Sequence, residues 1–446
     1  MDSITNIKRY SRSEVLLHNK KESCWIIIEN EVYDLTDFIK KHPGGSNIIL
    51  SRAGEDATSY FKMKHGLSDA VNKMLKAYKI GELREEDQGD LKFLDESFTK
   101  DLLHAIKEDK LYQVEAATKW KFLTFRIMAI LCFFTFSLLA LYANIPLFLA
   151  VLLVVLQALI GTSLFGFIAH ESTHRNFPKN IFLKYLLELI WPVLWPFISK
   201  EPLNYEHNSH HVKIGDEDYD FEVSGFAAFI RYSSSIEKTF WHRYQHRLAL
   251  FFYPFYANII TTIGGISSSF WSKHNRTVAL YHIASLVVTF TYYIIIPSLL
   301  FGFSFKWLGL YLVYQCVLFT GVYLGAAINH FIPQAFEKMD EVKGKLYGFY
   351  ICSNTSNFGV NNPFWFWYTG GFNIQIEHHL APFVPVENLR KLVPIVKDLC
   401  QKYDYPYVDF QNFGALWTAH YTFLEELSKG ERNLSELQNK SQYQAK

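Results

Sequence analysis

Cysteine is scarce in this 446-residue chain and badly placed for chemistry. The five cysteines, Cys24, Cys132, Cys316, Cys352 and Cys400, are odd in number, scattered, and contain no CxxC pair. That excludes a disulfide framework and a thiolate metal site. Excess charge is missing too. Lys and Arg total 44 against 43 Asp and Glu, a net charge of +1, so nothing points to nucleic acid as a partner. Met1 is followed by polar, charged residues rather than a signal peptide, which places the N-terminus in the cytosol as an expectation. What the chain has instead is apolar and aromatic mass, 50% and 17% of residues, unusual for a soluble protein.

That mass is unevenly spread. Residues 1–121 mix charged and apolar positions as a soluble domain does; from Phe122 the character changes. Phe122–Ala143 and Leu147–Ala169 form one pair of apolar runs around an Asn144-Ile145-Pro146 break. Val278–Phe303 and Trp307–Asn329 form a second pair. Each run is long enough to cross a hydrocarbon core of about 30 Å. Phe182–Ile198 and Leu248–Trp271 are apolar but interrupted by proline or glycine, and are expected to lie in or dip into the interface. The fold class predicted is mostly α, a multi-pass helical membrane protein with about four transmembrane helices, plus a small α+β domain at residues 1–83. Between them, residues 84–121 are expected to form a linker with an amphipathic helix carrying Phe98, Leu102, Leu103 and Ile106 on one face. The membrane domain is expected at 122–430 and a polar tail at 431–446.

Three histidine clusters punctuate the apolar region: His170-Glu171-Ser172-Thr173-His174, His207-Asn208-Ser209-His210-His211 and Gln375-Ile376-Glu377-His378-His379. Residues three and four apart share a helix face, so each cluster can turn two or more imidazoles toward one point. Two crossings from a cytosolic N-terminus return the chain at His170, and two more return it at His330. All three clusters then share one membrane face, and the basic residues gather on that side. His330 ends the fourth run as His170 ends the second, and is an eighth candidate imidazole. Eight are too many for one ion and suit two. Imidazole alone does not choose between zinc, copper, iron and nickel. His242, His246, His274 and His282 lack ligand spacing, although His246 could support a ligand. Glu171 and Glu377 could orient imidazoles; the acidic run Asp216, Glu217, Asp218, Asp220 reads as a solvated loop.

The N-terminal domain narrows the metal. It carries Trp25-Ile26-Ile27-Ile28, Val32-Tyr33-Asp34-Leu35, Phe38, then His42-Pro43-Gly44-Gly45, Gly54-Glu55-Asp56-Ala57-Thr58, Phe61 and His65. This segment resembles the cytochrome b5 family. The resemblance implies that His42 and His65 are the two axial ligands of a haem b that carries electrons and leaves no position for O2.

A haem carrier joined to eight imidazoles resembles the membrane fatty acyl desaturases, specifically the front-end branch with HxxxH, HxxHH and QxxHH boxes. Gln375 and the Gly370-Gly371-Phe372-Asn373 lead-in are part of that likeness; Glu171, where the branch usually has aspartate, departs from it. The resemblance implies two irons held by His170, His174, His207, His210, His211, His330, His378 and His379, with Gln375 a ligand or a hydrogen-bond partner. It implies O2 as co-substrate and electrons from NADH through a cytochrome b5 reductase. The product would be a cis double bond in a polyunsaturated fatty acyl chain carried on coenzyme A or a phospholipid. Carbon 5 or 6 and the endoplasmic reticulum membrane follow as expectations. Other readings stay open: a sphingolipid long-chain-base desaturase, a membrane lipid hydroxylase, a non-enzymatic electron carrier, and an intramembrane zinc protease, since His170–His174 also fits HExxH.

Overall fold

The structure, a computed structural model, describes residues 7–43, 45–65, 68–88, 92–174, 180–196, 200–217, 220–225, 227–259, 276–335 and 347–430. At the N-terminus, strands Arg9–Tyr10, Asn19–Lys20, Ser23–Ile28, Glu31–Asp34 and Lys79–Leu83 form one sheet, in spatial order first, fifth, fourth, third, second. The Ser23–Ile28 and Glu31–Asp34 strands are joined by Glu29 and Asn30, both at positive φ (51° and 69°). A two-residue turn with both φ values positive matches the right-handed strand twist. Short helices Ser46–Leu50, Thr58–His65 and Asp69–Leu75 pack over this sheet.

Among the described residues, four helices are long and apolar enough to cross a membrane: Ala116–Tyr142, Leu147–His174, Ile283–Phe301 and Phe305–Asn329. They match the four runs expected, and the protein is a membrane protein. Their apolar residues divide by position: Phe133, Ala140, Val154, Ala158, Tyr314 and Leu318 are buried, while Met128, Leu131, Phe148, Leu152 and Leu312 stay exposed. Exposed apolar side chains on a spanning helix face lipid tails, which are as apolar as the core. Gly302 at φ 86° and the Ser304 cap turn the third span into the fourth.

The helix Ile181–Leu194 exposes Ile181, Phe182, Tyr185 and Leu189 but buries Trp191, Leu194 and the adjoining Trp195. Its last carbonyls have no helical partner of their own, and apolar surroundings make such groups costly. Thr289 Oγ1 donates to the Pro192 carbonyl (2.8 Å), Tyr293 Oη to Val193 (2.9 Å) and Tyr314 Oη to Leu194 (2.5 Å). Donors from the third and fourth spans thus hold this end inside the bundle. The other interrupted run forms Gln245–Ile259, against the fourth span and the C-terminal helix Phe413–Lys429; residues 260–275 lie outside the described set.

Helix Lys92–Glu108 buries Phe98, Leu102, Leu103 and Ile106, and the surface they meet is protein. They share a core with Met63, Tyr347–Cys352, Ile376, Leu380 and helix Leu389–Tyr403. A second clamp lies beside it. Arg126 pairs with Glu387 at 2.9 Å, both side chains 7% exposed, and its Nε donates to the Phe167 carbonyl (3.2 Å). Asn388 Nδ2 donates to the carbonyls of Leu111 and Gln113.

Backbone meets backbone at one point that matters for the ligands. The second span changes to a π turn over Phe165–His170, and Gly166 there lies against the Thr369–Gly370 turn that leads into the third histidine cluster. A Cβ on Gly166 would fall 2.5 Å from the Thr369 carbonyl oxygen and 2.7 Å from Gly370 Cα. Gly370 is at φ 67°, in the left-handed region that favours glycine. Gly166→Ala should therefore destabilise the protein by about 1–3 kcal/mol, since backbone cannot yield as a side-chain tip does. Thermal melts in detergent should show a lower midpoint, with Gly309→Ala, whose Cβ would meet nothing within 4 Å, unchanged or raised.

Candidate metal centre

The second span delivers His170 and His174, with His170 ending the π turn. Helix Lys200–Val212 carries His207, His210 and His211. His330 follows a short turn, Ala327–Asn329, at the end of the fourth span. Helix Gln375–Leu380, buried throughout, carries Gln375, His378 and His379. These eight histidines come together as two adjoining groups. His170, His174, His207, His211 and His378 place one ring nitrogen each within 4.8 Å of one another, and so do His210, His330 and His379. The groups touch where His211 and His379 stack, centroids 4.0 Å apart.

The contacts in the larger group do not satisfy themselves. His174 Nε2 lies 2.8 Å from His207 Nε2, which lies 3.0 Å from His211 Nε2, itself 3.0 Å from His378 Nε2. A neutral ring nitrogen has one proton or one lone pair in its plane, so His207 and His211 cannot each serve two neighbours. His170 Nε2, His211 Nδ1, His379 Nδ1 and Gln375 Oε1 are buried with no hydrogen-bond partner among the described residues. A cation at the centre of each group would take the lone pairs of the ring nitrogens that face it, and the donor set fits one. Burial first, then neighbouring imidazoles, hold His207, His211, His378 and His379 well below the ordinary histidine value. His330 is pushed down to about 3 for the same reasons. They stay neutral at pH 7, as a ligand must be.

The smaller group is oriented by acceptors behind it. His330 Nδ1 donates to the Asn354 carbonyl (3.0 Å) and His210 Nδ1 to Asp220 Oδ2 (2.9 Å), which turns each Nε2 forward. Asp220 is fully buried, and also accepts from the Gly215 amide (2.7 Å) and the Glu222 amide (2.9 Å). Burial opposes charge on His210, but Asp220 and Glu222 outweigh it and push it up to about 9. Positive charge, from a proton or a metal, is favoured there.

The acidic run read as a solvated loop is thus corrected in part. Asp216 and Asp220 are buried, and Asp220 holds a histidine; Asp218 lies outside the described residues. The signal was weak: a carboxylate ten positions beyond His210 in the sequence. Glu377 is fully buried, and its described hydrogen bonds come from Asn357 Nδ2 (2.8 Å) and Tyr407 Oη (2.7 Å) rather than from an imidazole. Asn357 and Tyr407 belong to or flank the paired strands Ser356–Phe358 and Val408–Phe410, so Glu377 ties the third cluster to the chain's C-terminal part. Glu171 is buried. His246 packs on Tyr421 and joins neither group; His242 bonds the Ala227 carbonyl and the Thr239 amide. His274 lies outside the described residues.

In the N-terminal domain His42 and His65 face each other, ring centroids 6.4 Å apart. An iron between two imidazoles needs roughly 6 Å, at about 2 Å per metal–nitrogen bond plus the two rings. His42 Nδ1 bonds the Gly45 carbonyl (3.0 Å), leaving Nε2 for the gap. Burial lowers both rings, His65 to about 4.

Residues 146–411 match the family model described as fatty acid desaturase, and residues 11–84 match the cytochrome b5-like haem/steroid binding domain. The chain belongs to the fatty acid desaturase family. Similarity to named relatives runs nearly end to end. A probable Delta(5) fatty acid desaturase C of Dictyostelium discoideum is 26% identical, over 95% of this chain and 96% of the relative. An acyl-lipid (8-3)-desaturase of Physcomitrium patens is 28% identical over 96% and 93%. A Delta(8)-fatty-acid desaturase 2 of Arabidopsis thaliana is 27% identical over 92% of each chain. The protein is an enzyme, an oxidoreductase of lipid metabolism with an attached haem domain. This overturns the zinc protease and electron-carrier readings. A catalytic zinc site uses about three protein ligands, whereas His170 and His174 sit in a group of five.

Asp220→Asn keeps the shape but weakens the hold on His210. It should lower metal affinity of the smaller group about 10–100-fold, read as metal lost on dialysis against a chelator, with haem absorbance unchanged.

Proposed function

We propose that this protein is a front-end desaturase. It inserts a cis double bond between an existing double bond and the carboxyl end of a polyunsaturated fatty acyl chain, at carbon 5 or 6. The observation that carries the reading is the gathering of eight histidines, six of them buried, into adjoining groups of five and three, with Gln375 on the same helix as His378 and His379 and its carbonyl oxygen buried without a partner among the described residues. Relatives named for Delta(5) and Delta(8) products support the front-end class.

In this reading His170, His174, His207, His211 and His378 hold one iron, and His210, His330 and His379 hold the other, with Gln375 beside them. Bound iron would supply O2 activation, with the balance that two hydrogens from adjacent methylenes, two further electrons and two protons convert O2 to two waters and leave one double bond. The chain's own contribution is positional. Asp220 and the Asn354 carbonyl fix the tautomers of His210 and His330. The Gly166–Gly370 contact keeps the first and third clusters together. Burial keeps His207, His211, His330, His378 and His379 neutral, while Asp220 favours positive charge at His210. His42 and His65 would hold haem b, which would supply one-electron transfer, with NADH and a cytochrome b5 reductase as the electron source. The membrane is that of the endoplasmic reticulum, with haem domain and histidines on the cytosolic face. The acyl carrier is coenzyme A or a phospholipid.

His174→Ala and His379→Ala should each abolish desaturation while haem absorbance stays intact, and His42→Ala should remove the haem signal. The assay is expression in a host lacking the activity, fed polyunsaturated acids, with the new double bond located by mass spectrometry. A product hydroxylated rather than desaturated, or made only from a sphingoid base, would overturn the reading. So would zinc in place of non-haem iron on metal analysis.

A further inference from the structure

Helix Thr58–His65 stands between the two redox sites and presents a different face to each. Phe61 and His65, four residues apart, turn toward the His42 side: Phe61 packs on the haem-domain core and lies 5.3 Å, centroid to centroid, from His65. Tyr60, Met63 and Lys64 share the opposite face, by the same helical spacing. Met63, 1% exposed, enters the core formed by Phe98, Ile351, Ile376 and Leu380. The Tyr60 ring meets Tyr347 edge-on at 4.3 Å. Lys64 Nζ lies 3.2 Å from Asn208 Oδ1 and 3.4 Å from His174 Nδ1. A residue adjacent to one haem histidine thus touches a histidine of the larger metal group.

Arg52 fastens this arrangement. It is 4% exposed, and Nη2 donates to the Val212 carbonyl (2.8 Å), the residue after His211. The same guanidinium donates to Tyr60 Oη (2.6 Å) and Glu55 Oε2 (3.0 Å), and its carbon sits 4.0 Å from the Tyr60 ring centroid. An arginine fork can hold Glu55, Tyr60 and a carbonyl of the other domain at once, which a lysine's point charge cannot. Val212 is the last residue of the helix Lys200–Val212, where carbonyls lack helical partners and a cation is favoured.

We propose that Arg52, Tyr60 and Met63 form a docking face that seats the haem domain on the histidine-bearing surface for electron transfer within one chain. Arg52 acts as a positioning residue and touches neither redox group. The inference rests on the desaturase reading for its electron acceptor, but the docking stands on contacts of its own. It also requires the reductase to deliver electrons through haem-domain surface other than the Tyr60, Met63 and Lys64 face.

The test uses the full-length enzyme with both haem and iron. Haem is reduced without O2, then mixed with aerated buffer with or without a polyunsaturated acyl-CoA or phospholipid, and its reoxidation is followed by absorbance. Arg52→Ala and Met63→Glu should each slow the substrate-dependent phase at least tenfold. Haem spectrum, non-haem iron content and the rate of haem reduction by NADH with cytochrome b5 reductase should not change. Hydrogen exchange along 58–65, measured on the same samples without turnover, should quicken in both variants. Met63 points away from His42 and His65, so Met63→Glu carries the test if Arg52→Ala loses haem. Unchanged reoxidation or unchanged exchange in Met63→Glu would overturn the docking face. Wild-type protein with slow exchange that quickens in the variants, yet no substrate-dependent reoxidation, would instead overturn the desaturase reading and leave the docking intact.

Discussion

Neutral imidazole nitrogens do not gather spontaneously. Each has one donor or acceptor direction in its ring plane, and three successive Nε2 contacts of 2.8–3.0 Å through His174, His207, His211 and His378 exceed what protons can satisfy. Burying them makes protonation costlier still. The arrangement makes sense only around positive charge, and much of the surrounding architecture serves to hold it ready. That is why acceptors such as Asp220 and the Asn354 carbonyl sit behind the rings and leave the forward nitrogens free.

The membrane helices provide the frame by the same accounting of polar groups. A helix end inside the bundle is tolerated because Thr289, Tyr293 and Tyr314 donate to its last carbonyls. The π turn that ends at His170 is accommodated because Gly166 has no side chain to press on Thr369 and Gly370. Both devices place irregular backbone where protein, not lipid, surrounds it. Ligand geometry and span packing are therefore one problem, solved together.

The spans and the histidine clusters were legible because each rests on a local pattern: an apolar run long enough to cross, or imidazoles at helical spacing. The haem domain was legible through His42-Pro43-Gly44-Gly45 and His65. Nothing local announces Asp220, whose role depends on the chain folding back onto His210. An acidic run after a helix is usually solvated, and only burial distinguishes this one. Asn354 was equally hidden, since it acts through a backbone carbonyl that any residue supplies. Glu377 misled for the opposite reason. It neighbours His378 in sequence, yet faces Asn357 and Tyr407. The linker helix shows the same limit: its apolar face was plain in Phe98, Leu102 and Ile106, but not that the partner would be helix Leu389–Tyr403.

Those contacts of Glu377 bear on how the enzyme is made. The third cluster is tied by Tyr407 and by the parallel pairing of Ser356–Phe358 with Val408–Phe410, so its anchor lies beyond every histidine of the two groups. A ribosome releases the chain in order, and His170, His174, His207 and His211 emerge nearly two hundred residues or more before Tyr407. During that interval the nascent chain displays bare imidazoles with no fixed third cluster to complete them. Assembly of the third cluster with the other two therefore waits until the residues around Tyr407 have been made.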